Sequence, residues 1–355
     1  MTDVIIAGGG AAGLMTAITA ARRGLLITVL EPNGKTGKKL RITGKGRCNV
    51  TNDSAPQEFL QKVCTNARFL KSALYAFPPE ALKTFFEEAG VPLKTERGER
   101  VFPVSDNAND IADTLERLAK SAGVRIVHER LMDILTLDGH VSAAVTDKNE
   151  YPCRAVVLCT GGLSYPATGS TGDGYRMAQA LGHMIVPPRG SLVPLESDSP
   201  DCAAMQGLAL RNVELAVYSK KTKPLFREFG EMLFTHFGVS GPLVLSASAH
   251  LRNWDKERYR LVIDLKPALD EQKLESRILR DIAENPNRDM DKILSGLVPR
   301  SMVPVVLRRC GLPPEEKANS LTREQRRALV QLLTHFEIPV TGPRPVREAI
   351  ITSGG

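Results

Sequence analysis

Aromatic residues are scarce, at 5% of the 355 residues, and there is one tryptophan, Trp254. A protein that grips single-stranded nucleic acid by stacking needs such rings, so a nucleic-acid partner is disfavoured. No apolar run approaches the roughly 20 residues that a bilayer-spanning helix requires, and Met1-Thr2-Asp3 lacks the basic flank that opens a signal peptide. These absences point to a cytoplasmic chain with no membrane partner. The six cysteines, Cys48, Cys64, Cys153, Cys159, Cys202 and Cys310, form no CxxC pair. Neither a disulfide framework nor a zinc site is signalled, and they read as reduced thiols.

Acidic residues are missing from one stretch altogether. Between Pro32 and Asn52 there are none, while Lys35, Lys38, Lys39, Arg41, Lys45 and Arg47 supply six cations. Most of the net charge of +7 sits in that run, which suits a small phosphorylated ligand. The remainder is ordinary: 42% hydrophobic and 25% charged residues describe a globular chain. At about 150 residues per domain the length allows two to three domains.

Val4-Ile5-Ile6-Ala7 is a short β-branched run, followed at once by Gly8-Gly9-Gly10-Ala11-Ala12-Gly13 and by helical spacing through Ala21. Gly24 is placed for a left-handed cap, and Leu26 to Leu30 resumes as a strand ending at Glu31. This β-α-β unit carries GxGxxG at Gly8, Gly10 and Gly13. The first glycine makes the turn, the second admits a pyrophosphate, and the third lets helix and strand pack closely. Glu31 lies where a carboxylate accepts hydrogen bonds from an adenosine ribose. The pattern specifies a dinucleotide site without separating NAD from FAD.

Residues 37–52 combine glycines, cations and Asn49 in a second candidate ligand loop. Ala155 to Cys159 is a buried-strand pattern ending in Thr160-Gly161-Gly162, and Gly169 to Tyr175 leads into helical spacing that stops at Gly182. Ligands of open α/β sheets bind at such strand C-termini. Beyond Pro187-Pro188 the pattern changes to β-like stretches at residues 213–218 and 260–265, then to short charged helices broken by prolines.

Five segments together resemble one family, the BaiN/RdsA-like flavoproteins, also described as NAD(P)/FAD-dependent oxidoreductases or aminoacetone-oxidase-like FAD-binding enzymes. They are GGGAAGL from Gly8, GKKLRITGKGRCNVTN from Gly37, TGGLSYPATGSTGDGY from Thr160, GEMLFTHFGVSGP from Gly230 and TGPRPVREAIITSGG from Thr341. The resemblance implies FAD as cofactor, with its adenosine and pyrophosphate held by Gly8, Gly10, Ala11, Ala12, Gly13 and Glu31. It places Lys39, Arg47, Cys48 and Asn49 near the ribityl chain and isoalloxazine, and Thr160 and Gly161 along the cofactor. Leu131, taken as part of the strand after Gly123-Val124, is a candidate backbone contact to adenine. Cys48 lacks a second cysteine for a dithiol relay and reads as a packing thiol. His236, among apolar neighbours, reads as structural.

The expected fold is α/β: a Rossmann-like FAD-binding domain of residues 1–188 and 341–355, interrupted by a β-barrel-like insertion carrying a small helical subdomain. The β-rich part is assigned to residues 189–268, and the helical part with its return to residues 269–340. Relatives are expected to continue past Gly355 into a further strand and a glycine-rich turn, so the chain reads as shortened at that end. The expected function is FAD-dependent oxidation or reduction of a small organic substrate, with NAD(P)H as a candidate electron donor. The alternative is a flavin-containing RNA-binding or RNA-modifying protein, motivated by a pI of about 9.1 and by Lys220-Lys221-Thr222-Lys223 and Arg308-Arg309.

Overall fold

A computed structural model describes residues 2–355. The chain divides into two units: Met1–Arg189 with Thr352–Gly355, and Gly190–Ile351.

The first unit is built on a four-stranded parallel sheet. Strand β1 (Val4–Ala7) is followed by helix α1 (Ala11–Ala21) and strand β2 (Ile27–Leu30), and β1 lies between β2 and strand Ala155–Leu158. Strand Arg125–Val127 completes the other edge, and all three pairings are parallel. Side chains alternate across a strand, so β1 serves two cores. Ile6 packs with Val29, Leu14, Ile18, Ile111 and Leu115 beneath α1 and helix Ala108–Ser121. Ile5, Ala7 and Leu30 pack on the opposite face with Leu131, Ile134 and Ala144. That second face is covered by an antiparallel sheet of Leu131–Leu137, His140–Thr146 and Glu150–Pro152. Gly24 adopts the left-handed conformation expected of the helix cap, with φ of 84°.

The second unit holds a barrel-like sheet with helices, and it runs on to Ile351, so residues 341–351, expected in the FAD-binding domain, belong to it instead. Its seven strands run in the order Phe336–Val340, Tyr259–Asp264, Ala209–Tyr218, Phe226–Thr235, Gly238–Ser240, Leu195–Glu196, Gly342–Pro343. The two edge strands are joined by Thr341 alone, so the sheet must curl round on itself. Helices Glu271–Glu284, Met290–Leu294, Val303–Cys310 and Arg323–Thr334 occupy the connection between two neighbouring strands. Asp270 caps the first by accepting from Lys273 N at 2.8 Å, and Thr322 and Gln325 form a capping box on the last. Their apolar faces, including Leu274, Ile278, Leu329 and Leu333, join the barrel side chains in one core.

Asp201, buried in this unit, receives the guanidinium groups of both Arg308 and Arg309, the latter through Nε at 2.6 Å. Replacing Asp201 with Ala leaves two cations without their shared partner. Because both arginines retain contact with water, the expected cost is about 2 kcal/mol rather than that of a fully buried pair. A urea titration should show the lower midpoint with an unchanged slope. Among the described residues no helix is long and apolar enough to cross a membrane.

Candidate functional site

The four parallel strands deliver their loops to one end of the sheet, and β1 is where the chain crosses from one side to the other. Gly8 leaves β1 with φ of 106°, and a Cβ there would sit 2.3 Å from Cys159 O. A Cβ on Gly13 would lie 1.8 Å from Gly8 O, so the turn and the helix are compressed to glycine's dimensions. Gly10 is different. Its φ of −84° suits any residue, and a Cβ there would meet nothing within 4 Å. The space above Gly10 is open.

Gly10 is also the N-cap of α1, with no side-chain cap and no acidic residue in the first turn. The first-turn amides have no partner within the helix, and Ala11 and Ala12 are exposed. These amides, together with the helix dipole, present an open anion seat.

Glu31, at the end of β2, is buried. Its Oε2 accepts from Gly9 N at 2.8 Å, and its Oε1 accepts from Asn33 N at 2.8 Å and Asn33 Nδ2 at 2.7 Å. A carboxylate has about four acceptor sites, so three donors leave room for a ligand hydroxyl. Asn33 also donates to Thr168 O at 3.2 Å, which ties the acid to the loop after Ala155–Leu158. Asn33 carries no motif signal in the sequence, and its bond to Thr168 O spans 135 residues.

The cation-rich segment starts against the phosphate turn, where Gly37 N donates to Gly9 O at 2.8 Å. Lys39 is half-buried, and burial pushes its ammonium below the usual lysine range. It donates to Ser164 Oγ at 2.8 Å and lies 5.2 Å from the centre of the Tyr165 ring. Among the described residues no carboxylate pairs with it.

Its neighbours are engaged elsewhere. Arg41 bonds Asn109 and Asp113, each at 2.7 Å. Arg47 pairs with Glu96 and with Asp106, the latter at 2.8 Å from Nε, and lies over Phe102 at 4.1 Å. Those carboxylates hold its guanidinium above the ordinary range. Asn49, oriented for its best hydrogen bonds, donates to Thr51 O at 3.0 Å and Val101 O at 3.3 Å. Cys48 is buried in a left-handed conformation, and burial pushes its thiol up against a weaker opposing bond to Thr43. Such burial suits a packing thiol.

Thr160 Oγ1 accepts from Gly174 N at 3.2 Å, which fixes the start of helix Asp173–Ala180. Gly161 has φ of 79°, and a Cβ there would meet Ser170 Oγ at 2.5 Å. Leu163 N is held by Thr352 Oγ1 at 2.8 Å, a long-range anchor the sequence did not signal.

Leu131 requires a correction. The strand after Gly123-Val124 is Arg125–Val127, and Leu131 instead opens the antiparallel sheet with its side chain buried. His236 is exposed between Phe226–Thr235 and Gly238–Ser240, edge-on to Phe237 at 5.1 Å, rather than enclosed by apolar residues. Arg308 and Arg309, part of the motive for an RNA surface, are committed to Asp201.

Comparison with known families settles the affiliation. Residues 2–247 match the HI0933-like protein Rossmann domain, and residues 189–351 match the HI0933-like protein barrel and H2TH domain. The chain belongs to the HI0933-like family. Its relatives include the ribosomal RNA dihydrouridine synthases of Escherichia coli, 30% identical over 99% of this chain and 85% of that protein, and of Haemophilus influenzae, 28% identical over 100% and 86%. A third is the 3-dehydro-bile acid delta(4,6)-reductase of Clostridium scindens, 25% identical over 100% and 87%. The chain spans 85% to 87% of the length of these relatives.

Members of this HI0933-like, BaiN/RdsA-type family are FAD-binding Rossmann proteins, and this chain is an FAD-dependent oxidoreductase. The residues present fit that cofactor. The open space at Gly10 and the uncapped helix suit a diphosphate, and Glu31 suits a ribose that carries no 2′-phosphate.

Proposed function

We propose that this protein is a reductase that uses FAD to saturate a carbon–carbon double bond conjugated to a carbonyl group. The two reactions named in its relatives share that chemistry. Dihydrouridine is uridine with the double bond next to a ring carbonyl reduced, and a 3-keto steroid with 4,6 unsaturation is a conjugated dienone. FAD, when bound, supplies the hydride chemistry, and the protein's residues bind and orient it.

In this reading Gly8, Gly10, Ala11, Ala12 and Gly13 receive the diphosphate and Glu31 the ribose, while the backbone at Leu131 approaches adenine. Thr160 and Gly161 line the cofactor. Arg47 and Asn49 act by holding the loop against strand Arg100–Pro103 and its neighbours, since their polar groups are already bonded there, and the buried Cys48 packs between them.

The observation that carries the reading is Lys39, a half-buried ammonium with no carboxylate partner among the described residues, set between the phosphate turn and the loop after Ala155–Leu158. An uncompensated cation costs the free protein stability, and an anionic ligand offsets that cost. Replacing Lys39 with Met should therefore weaken FAD binding by about 10- to 100-fold while leaving the melting temperature of the FAD-free protein unchanged or higher. Titration calorimetry with FAD and thermal melts of both forms check this.

The reaction class is tested by photoreducing the FAD-loaded protein without oxygen and adding acceptors. A conjugated enone should restore the oxidised flavin spectrum, and the corresponding saturated ketone should not. A flavin that the conjugated enone leaves reduced would contradict the reading. Adding NADH or NADPH to the oxidised protein in the same cell tests the proposed nicotinamide donor.

A second substrate reading, uridine within RNA, is favoured by Lys35 and Lys45, exposed cations of the same run that no carboxylate neutralises among the described residues. Ribosomal RNA lacking dihydrouridine should then reoxidise the flavin where free enones do so poorly, with a steep dependence on salt.

A further inference from the structure

Reduction of a conjugated double bond, the reading on which this inference rests, needs a proton as well as a hydride. Most hydroxyl and thiol groups of the two ligand loops are committed. Cys48 is buried, Thr43 Oγ1 donates to Leu40 O at 2.7 Å, and Thr168 Oγ1 donates to Tyr165 O at 2.7 Å.

Tyr165 differs from them. Its phenol has no hydrogen-bond partner among the described residues, its side chain is 36% exposed, and the Lys39 ammonium lies 5.2 Å from its ring centre. Its backbone is left-handed, with φ of 54° and ψ of 58°, a conformation unusual for a bulky side chain. The conformation is enforced from both sides. Thr168 N donates to Tyr165 O at 2.9 Å, Pro166 follows directly, and Thr352 Oγ1 holds Leu163 N and Ser164 N at 2.8 and 3.1 Å. Backbone strain of this kind gathers at functional sites, where the surroundings hold it in place. Lys45 and Cys48, in the facing motif, are left-handed as well.

We propose that Tyr165 is the acid that completes the reduction. Its O–H bond breaks as a C–H bond forms at the carbon next to the carbonyl, and hydride from reduced FAD forms the C–H bond at the far carbon of the alkene. The alkene gains two electrons and two hydrogens, and the flavin is oxidised. The phenolate left behind is offset by the Lys39 ammonium beside it and recovers its proton from water.

The test is Tyr165→Phe in the full chain loaded with FAD, photoreduced without oxygen and mixed with cyclohexenone or nitrocyclohexene. A nitroalkene accepts hydride to give a nitronate, whose charge rests on the nitro oxygens, so that step needs no acid. The variant should be reoxidised by cyclohexenone roughly 10²- to 10⁴-fold more slowly than the parent protein. Reoxidation by nitrocyclohexene and FAD affinity should stay within a few-fold. Equal rates with cyclohexenone would overturn the role of Tyr165 and leave the reaction class standing. Equal slowing with both acceptors, or loss of FAD, would overturn it in favour of a packing role. A parent protein reoxidised by neither acceptor would overturn the reaction class itself, and the acid with it.

Discussion

Replacing Gly10 with Val should strip FAD from the protein while leaving its fold standing. The backbone at Gly10 has φ of −84°, and a Cβ there meets nothing within 4 Å, so the side chain enters only the space proposed for the diphosphate. Losing two charge-assisted hydrogen bonds at about 1.5–3 kcal/mol each amounts to a fall in affinity of at least roughly 100-fold. The FAD-free protein should lose about 1 kcal/mol or less, the cost of a poorer residue at the N-cap. Gly13→Ala is the contrasting variant. Its Cβ would lie 1.8 Å from Gly8 O, which no rotamer change relieves, so helix and turn must separate. We expect a loss of roughly 3 kcal/mol in the FAD-free protein itself. Thermal melts and FAD titrations on both variants check the pair, and equal destabilisation by the two would refute the assignment of the open space.

Glu31→Gln should lower both stability and affinity. The carboxylate already accepts from Gly9 N, Asn33 N and Asn33 Nδ2, so an amide nitrogen in place of either oxygen faces at least one donor with another donor. The mismatch should cost the FAD-free protein about 1–3 kcal/mol and loosen the phosphate turn through Gly9. Loss of the ribose acceptor should reduce FAD affinity by a further 10- to 100-fold, roughly. Unlike Gly10→Val, this variant is expected to show the stability loss in urea titrations without any cofactor present.

The first thirty residues were legible because their information is local. The β-branched run, the glycines and the acid follow one another within a single β-α-β unit, and the structure places β1, α1 and β2 over Val4–Ala7, Ala11–Ala21 and Ile27–Leu30. The strand expected at residues 213–218 also stands, within Ala209–Tyr218, and the one expected at 260–265 stands one residue earlier, as Tyr259–Asp264. What escaped was set by distant partners. The positions of Arg47 and Asn49 depend on Glu96, Val101 and Asp106, which only the folding of a small antiparallel sheet brings to them. Leu131 was placed in the wrong strand because two short strands, Arg125–Val127 and Leu131–Leu137, follow each other with three residues between them. The closing segment is a short helical turn at Val346–Glu348 followed by a strand only at Ile351–Ser353. Pro345 immediately before that turn fixes φ without supplying an amide for a ladder.

Arg47 illustrates the limit most clearly. Its charge and position in a basic run suggest a direct contact with the cofactor, yet two carboxylates and the Phe102 ring already surround it. Lys39, eight residues earlier in the same run, has no such partner among the described residues, and only the folded structure separates the two.

The most direct test of the central claim is a crystal structure of the FAD complex. The diphosphate is expected within about 3 Å of the Ala11 and Ala12 amides, the adenosine ribose on the Glu31 carboxylate, and the flavin ring toward the loops bearing Lys39 and Tyr165. A diphosphate seated away from α1, or a ribose that makes no contact with Glu31, would contradict it.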